Sequence, residues 1–544
     1  MRRWRGFSLV SALLLILWAP TATFGATSPS TIPVLRVFIP GHFGGCTTTS
    51  SGSSEALKDV LSLVRPSAFL VNPVGRLVGA GGPIASAELI SDEPQTIVVT
   101  IDPRFTWSNG APFTVHDLIN RIEFARTSRA AWADGFHRIE SYSIGSHRKS
   151  LKLIFSQKYA SWPTMFQGIE QATAPLNCDI TQVAQRPSLG PYLLESLNSD
   201  QAVLVANPQY RVRSQQFRTI IITAGQSPSA TVGRPIVDYR YAFSQMDATW
   251  LASLPGRSGK ISASQRVVAV TFSPRTAITQ DIDVRKVLSL AIDRHQVINT
   301  VYGSITQSLS PATSSLLAQG QIGYVAKSIQ APFLVTATTS TTIANAANGS
   351  GSHGFECVSC ASAVSSSTVS FSSGQLRWYG SGVTVRLAVG PSESSRLVSQ
   401  RIANAWRRIG VSVQIIGVSS DRLASQAVAG GDVEAAVTSA ATSHIGVTAT
   451  SWYGPRRSDT VDFGWRSAVC DSSSTAAEAN FNATTALEDW ARCDDEIARQ
   501  YWQRPIVSVP YLLQWTNTVV GVAPSNTTRG FIDQIPLWSS LQRR

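Results

Sequence analysis

The chain has 544 residues, room for about three domains at ~100–200 residues each. Hydrophobic residues make up 43% and charged residues 15%, a balance that excludes a disordered or low-complexity chain. The net charge of +12 first points to nucleic acid or an anionic membrane, but only seven of the 46 basic residues are lysines and the arginines are scattered with no block of five or six, which excludes a polybasic arm.

The N-terminus reads as an export leader, residues 1–25. Arg2, Arg3 and Arg5 precede an apolar run from Phe7 to Trp18, and Thr23 and Gly25 stand at −3 and −1 of a cleavage site. The run is shorter than the ~20 residues of a membrane span, although an uncleaved anchor is the alternative. No cysteine follows directly, so no lipid anchor is expected. No other stretch is long and apolar enough to span, so the mature chain is expected to be soluble, in the periplasm or on the extracellular face of the envelope.

Thr31–Ile39 alternates like a half-buried strand, and the Gly/Ser/Thr-rich 40–54 reads as a loop. A helix is expected over Glu55–Val64 and a strand over Thr96–Ile101, followed by turn signals ending in Asn109-Gly110. Thr114 is the best helix start in the chain. Its hydroxyl can cap a backbone N–H, and Asp117 brings negative charge into the first turn. Val115, Leu118, Ile119 and Ile122 then share one face. A second helix is expected to begin at Asp283. Asp293 with Gln296 reads as the capping box of a third.

Further on, Val383–Val389 alternates, Ser392–Arg408 is helical, Gly410 ends the helix and Val411–Ile415 alternates again. This spacing predicts a parallel strand pair with a crossover helix, hence α/β or mixed α+β lobes. Residues 336–374 are dense in Ser, Thr, Ala and Gly and read as a long surface loop. Asp494-Asp495 reads as a solvated helix face rather than an acid/base pair, since neighbours on a helix point apart.

Six cysteines in an exported chain read as disulfides. Cys357-Val-Ser-Cys360 is expected to close a small structural bridge, because no second CxxC or His pair supports zinc. Cys470–Cys493 and Cys46–Cys178 then follow by proximity and elimination. Catalytic motifs are missing: there is no nucleophile elbow, no HExxH, no Walker A and no Gly-x-Gly-x-x-Gly after a strand. The seven histidines show no ligand spacing, and neither a metal nor a cofactor is expected.

Four segments, taken in order, resemble the family 5 extracellular solute-binding proteins, the oligopeptide- and dipeptide-type receptors of ABC importers. In residues 96–126, Asn109, Gly110, Pro112, Thr114 and Asp117 are similar to that family's "DG-x-P-x-T-A-x-D-V". In residues 188–210, Gly190, Pro191, Tyr192, Asn207, Pro208 and Tyr210 resemble "GTGPY…RNP.Y". Residues 283–303 resemble "DVRVRQALAYAIDR", and 383–418 resemble the family's strand, helix and "IGI-x-V" strand.

The resemblance implies a two-lobed periplasmic-binding-protein-like fold (class II, cluster C type) with an extra subdomain and a hinge of two crossing strands. One subdomain of lobe 1 would comprise 31–72, 189–267 and 515–544, the other 73–188, and lobe 2 would be 268–514. It implies a monomeric receptor, not an enzyme, that takes a ligand, most simply a peptide, and works transiently with a membrane permease. No nucleic acid is expected. Gly431 to Ala435 resemble the start of the family's "GDYD-x-A" stretch, whose continuation supplies an Asp for a peptide's amine. Here 438–455 contain no Asp, so Asp459 or Asp462 is expected to substitute, unless the ligand lacks a free amine. Trp452 and Tyr453 are expected either to line the cleft or to pack in the lobe core, and His444 to meet ligand or solvent. An envelope sensor or interaction protein that keeps the fold without transport is the runner-up, and a secreted hydrolase the third reading.

Overall fold

The computed structural model describes residues 34–540 except 46–53, 73, 80, 129–130, 172–179, 213–214, 226–235, 239–254, 304–308, 326–334, 339–353, 358–365, 373–374, 443, 447, 450–462, 523–531 and 538. The leader, Cys46, Cys178 and Cys360 therefore lie outside the described residues, and Cys357 is described in its backbone alone.

A ten-stranded sheet runs through the molecule. In spatial order its strands are Ser412–Gly417, Thr384–Val389, Ala435–Ala441, Arg257–Phe272, Gln503–Thr516, Ile236–Asp238, Val34–Pro40, Thr219–Gly225, Gln201–Ala206 and Tyr192–Leu197. Its middle is the long antiparallel pair Arg257–Phe272 and Gln503–Thr516. One end of this pair borders Ile236–Asp238, the other Ala435–Ala441. Among the described residues these two strands alone carry the sheet from one half to the other.

Their pairing is irregular where the halves meet. Ala263 pairs with Pro510 but Val267 with Ser508, so Ser264, Gln265 and Arg266 bulge out of the ladder. A second shift lies between Val268 and Ala269, opposite Pro505. Proline cannot donate to a ladder, and its places at both irregularities follow from that.

Three large buried clusters surround this frame, beside a small one of Val267, Ala312 and Ala318. One gathers Leu35–Val64 with Val183–Ala224 and Leu513–Ile535. A second spans Ala68–Leu189 around the antiparallel sheet of Ile84–Asp92, Gln95–Ile101, Ser150–Phe155 and Ile139–Ile144. The third and largest draws nearly all its residues from Val268 to Val509, joined by Phe38. It holds the expected crossover: Thr384–Val389 is parallel to Ser412–Gly417, and helix Glu393–Arg408 connects them. Trp406 of that helix is fully buried, with its indole N–H donating to Leu288 O at 2.7 Å.

Local capping follows the sequence closely. Asp117 accepts from Thr114 N at 2.9 Å and opens helix Val115–Thr127. Asp293 accepts from Gln296 N and opens Arg294–Tyr302. The expected start at Asp283 shifts by two residues: Asp281 is the cap, accepting from Asp283 N at 2.9 Å. Gly190 lies where the first two clusters meet. Its N–H donates to Val64 O at 3.0 Å, and its carbonyl accepts from Asn207 Nδ2 at 2.8 Å.

Two sequence expectations are corrected. The 336–374 segment is not all loop. Val335–Thr338 pairs with Gly354–Cys357, and Val369–Ser372 pairs with Gln375–Trp378, so ladder bonds satisfy a backbone that side chains could not bury. Asp494-Asp495 is not wholly a solvated face. Asp494 is buried and accepts from Ser315 N at 2.8 Å, while Asp495 is exposed. Cys470 and Cys493 form a disulfide between helices Ala468–Glu478 and Ala483–Arg499.

Candidate ligand cleft

In the large cluster, Thr384–Val389 has a parallel neighbour on each side, Ser412–Gly417 and Ala435–Ala441. The chain therefore leaves the sheet in opposite directions at their carboxyl ends, the place where open α/β sheets hold ligands. Helix Glu393–Arg408, capped by Ser392, and helix Asp421–Gly430, capped by Ser420, both begin at this edge. The strand bulge at 264–266 reaches the same edge. Gln265 O accepts from Thr442 N at 2.7 Å, and Arg266 Nη1 donates to Ser439 O at 2.8 Å. Thr442 is held again by Gln321, whose Oε1 accepts from the Thr442 hydroxyl at 2.8 Å and whose Nε2 donates to Thr442 O at 2.9 Å. Gln265 Nε2 also donates to Asn72 O, and Ile322 N to Val74 O at 2.8 Å. The segment that follows Ala435–Ala441 is thus fixed at its root by the central strands.

Two residues past Thr442, His444 faces the Ala68–Leu189 unit. Its Nδ1 lies 3.4 Å from Ser161 Oγ. Burial pushes the imidazole pKa down to about 4, so the ring is neutral at pH 7. Ser161 is also gripped by Glu478, which accepts from the hydroxyl at 2.8 Å and from the backbone N–H at 3.3 Å. Because the single hydroxyl proton goes to Glu478, the tautomer that fits has Nδ1–H donating to Oγ. Burial raises the Glu478 pKa, and the Ser161 bonds and Arg138 only partly oppose this.

A serine, a histidine and a carboxylate are therefore in contact, but not in the order of a nucleophilic triad. There the acid orients the imidazole, whereas here Glu478 binds the serine. Among the described residues no group of three or more His, Cys, Asp or Glu could hold a metal.

Of the residues predicted to bind ligand, His444 lies at the boundary, half-buried and bonded to Ser161 rather than facing open solvent. Trp452, Tyr453, Asp459 and Asp462 lie outside the described residues. Sequence reasoning missed Ser161, Gln265, Gln321, Thr442 and Glu478. No motif marks any of them, and Ser161 and Glu478 are 317 residues apart.

Two lobes sharing a pair of crossing strands, with an α/β strand edge at their junction, define a periplasmic-binding-protein-like fold. Residues 82–453 match the profile of bacterial extracellular solute-binding proteins, family 5 middle, and the chain belongs to this family. It is 22% identical over 302 residues to the oligopeptide-binding protein OppA of Mycobacterium tuberculosis strain H37Rv, a match covering 50% of this chain. The chain spans about half, 49%, of the length of that relative. Among solved structures, the periplasmic EDTA-binding protein EppA superposes with a TM-score of 0.79 at 18% identity, over 94% of this chain and 97% of its own. NikZ from Campylobacter jejuni, in complex with Ni(L-His), gives 0.76 at 13% identity over 94% and 100% of the two chains. The oligopeptide-binding protein AppA from Bacillus subtilis, in complex with a nonapeptide, gives 0.75 at 12% over 94% and 99%.

Proposed function

We propose that this protein is an exported receptor that captures a peptide between its two lobes and presents it to an ABC-type membrane importer. The observation that supports it is the junction itself. Among the described residues two long strands are the only sheet connection between the halves, and the strand edge, Thr442, His444 and Ser161 meet beside them. That arrangement suits hinge closure on a solute. The family match over 82–453 supports a solute receptor, and the oligopeptide-binding relatives support a peptide as its solute.

A second reading has a specific motive. Residues 438–455 contain no Asp to receive a peptide's amine, and similar folds hold EDTA or a nickel–histidine complex. A small acidic chelate is the alternative ligand. Thermal unfolding against a mixed peptide pool, a sugar panel and metal chelates separates the two. A ligand present at 100 times its Kd stabilises by ~2.7 kcal/mol. A shift with peptides supports the leading reading, and a shift with chelates alone replaces it. No shift with any pool favours a sensor that keeps the fold without transport.

A further inference from the structure

The contacts between Ser161 and Glu478 join two different cores. Trp162, Met165 and Phe166, next to Ser161, belong to the Ala68–Leu189 cluster. Cys470 and Ala477, on the helix that Glu478 ends, belong to the large cluster, as do Ile445 and Ala449 around His444. Both partners are almost fully enclosed: Ser161 is 2% exposed and Glu478 7%. We propose that Glu478, Ser161 and His444 form a clasp that holds the lobes shut, with Glu478 as its positioning residue. The geometry does not depend on the proposed ligand reading, although the clasp's use in trapping a solute rests on it.

Four features carry the argument. First, Glu478 engages Ser161 twice through its carboxylate, and Glu478 O accepts from Ala160 N at 2.7 Å, so one residue closes three bonds across the boundary. Such bonds are directional, and those to a carboxylate are the stronger kind. Second, the site has no room to spare. A Cβ on Gly446 would lie 2.3 Å from Glu478 Oε1 and 2.6 Å from Ser161 Oγ, so a side chain there has to push the carboxylate or the hydroxyl out of the bonded pair. Third, Phe481, three residues past Glu478, packs against the opposite cluster and adds an apolar contact across the same boundary. Fourth, the Cys470–Cys493 bridge ties the helix that ends at Glu478 to its neighbour, which fixes where the carboxylate stands. The charged and titratable groups facing Glu478 are Arg138, Asp134, Tyr159 and His444. Arg138 stacks on the Tyr159 ring at 4.9 Å, on the same side as Ser161.

The test uses the full mature chain, refolded from guanidinium with its disulfides intact to strip bound solute. Donor and acceptor dyes are placed through unnatural amino acids at Glu140 and Glu488, exposed on the two sides of the boundary. Single-molecule energy transfer then counts closed and open molecules without any ligand. The wild-type chain should show a closed population. Glu478→Ala should lower the closed:open ratio at least tenfold, about 1.4 kcal/mol. Ser161→Ala keeps the backbone N–H and should lower it less. Glu478→Gln keeps an acceptor oxygen and should restore part of the population. Gly446→Ala should open the clasp from the third side. Melting of the individual lobes should not change in parallel, which a merely structural role would require. A wild-type chain that is always open, or Glu478→Ala and Gly446→Ala variants that fold and close like wild type, would overturn the proposal. If Glu478→Ala does not fold, Ser161→Ala decides by the same readout. Because no ligand enters the measurement, its failure is separable from failure of the peptide-receptor reading.

Discussion

Replacing Gly190 with alanine places a Cβ 2.3 Å from Leu63 O, 2.9 Å from Leu63 C and 3.0 Å from Val64 C. All three neighbours are backbone atoms, so no side chain can swing away. Real Cβ contacts do not fall below 3.0 Å, and the two segments must part by roughly the shortfall. Parting them strains the bonds that fasten the junction: Gly190 N and Leu189 N to Val64 O, Tyr192 N to Leu63 O, and Ser188 Oγ to Val64 O at 2.8 Å. Overpacking costs ~1–3 kcal/mol and each weakened bond ~1 kcal/mol, so Gly190→Ala should destabilise by about 3 kcal/mol or more. The assay is urea unfolding followed by tryptophan fluorescence, with each transition fitted separately because a chain of this size need not unfold in one step. Gly417→Ala, with no atom within 4 Å of the new Cβ, is the matched control and should stay within ~0.5 kcal/mol. A Gly190→Ala midpoint indistinguishable from that control would refute the steric reasoning.

Removing the disulfide in a Cys470→Ser/Cys493→Ser chain frees a loop with a sequence separation of 23 and should cost ~3 kcal/mol, read from urea midpoints under otherwise identical conditions. At Glu434, burial pushes the carboxyl pKa up, but the Arg386 bonds at 2.7 and 3.0 Å outweigh it and the net shift is downward. Its contribution is therefore present above the unfolded value near 4.5 and is lost as pH falls below it. Glu434→Gln should flatten stability against pH in that acid range, and an unchanged profile would count against the pair. His444 works over a different window. Its folded pKa of about 4 lies below the ordinary imidazole value of 6.5, so stability is complete above pH 6.5 and falls as the unfolded chain takes up a proton that the folded chain refuses. His444→Asn should remove that loss, by up to about 3 kcal/mol at pH 4 given ~1.4 kcal/mol per pKa unit. Glu478, raised by burial, contributes with the opposite sign in both chains, so the difference between the two titrations isolates the histidine.

What the sequence disclosed was local. Thr114 with Asp117, Asp293 with Gln296, and Gly410 act within a turn of where they stand, and each is found at its post. The parallel pair around helix Glu393–Arg408 was legible for the same reason, because alternation and helical period are both short-range signals. The two central strands were not read as strands. Gln503–Thr516 carries two prolines, and the bulge at 264–266 interrupts the alternation of its partner. The Ser/Thr-rich segment hid two strand pairs because few of its residues are large and apolar, although the second pair does bury Val369 and Leu376 in the large core. At the candidate site only His444 was picked out. Its partners come from 283 and 317 residues away and are an ordinary serine and an ordinary helix-end glutamate, which nothing but folding brings together.

The central strand pair has a consequence for how this architecture is inherited. The chain enters the large core along Arg257–Phe272 and leaves it along Gln503–Thr516, and Thr271 stands directly opposite Gln503. The ends of everything between them are one strand spacing apart, about 4.8 Å. A cut there leaves two stumps that a tight turn can rejoin, and the excised stretch has neighbouring ends of its own. Grafting a foreign segment into that doorway would break the ladder to Ala435–Ala441 and the bonds of Ile322 to Val74 and of Glu478 to Ser161, so a cassette exchanged there leaves the strand pairing of the other half in place but has to rebuild the junction.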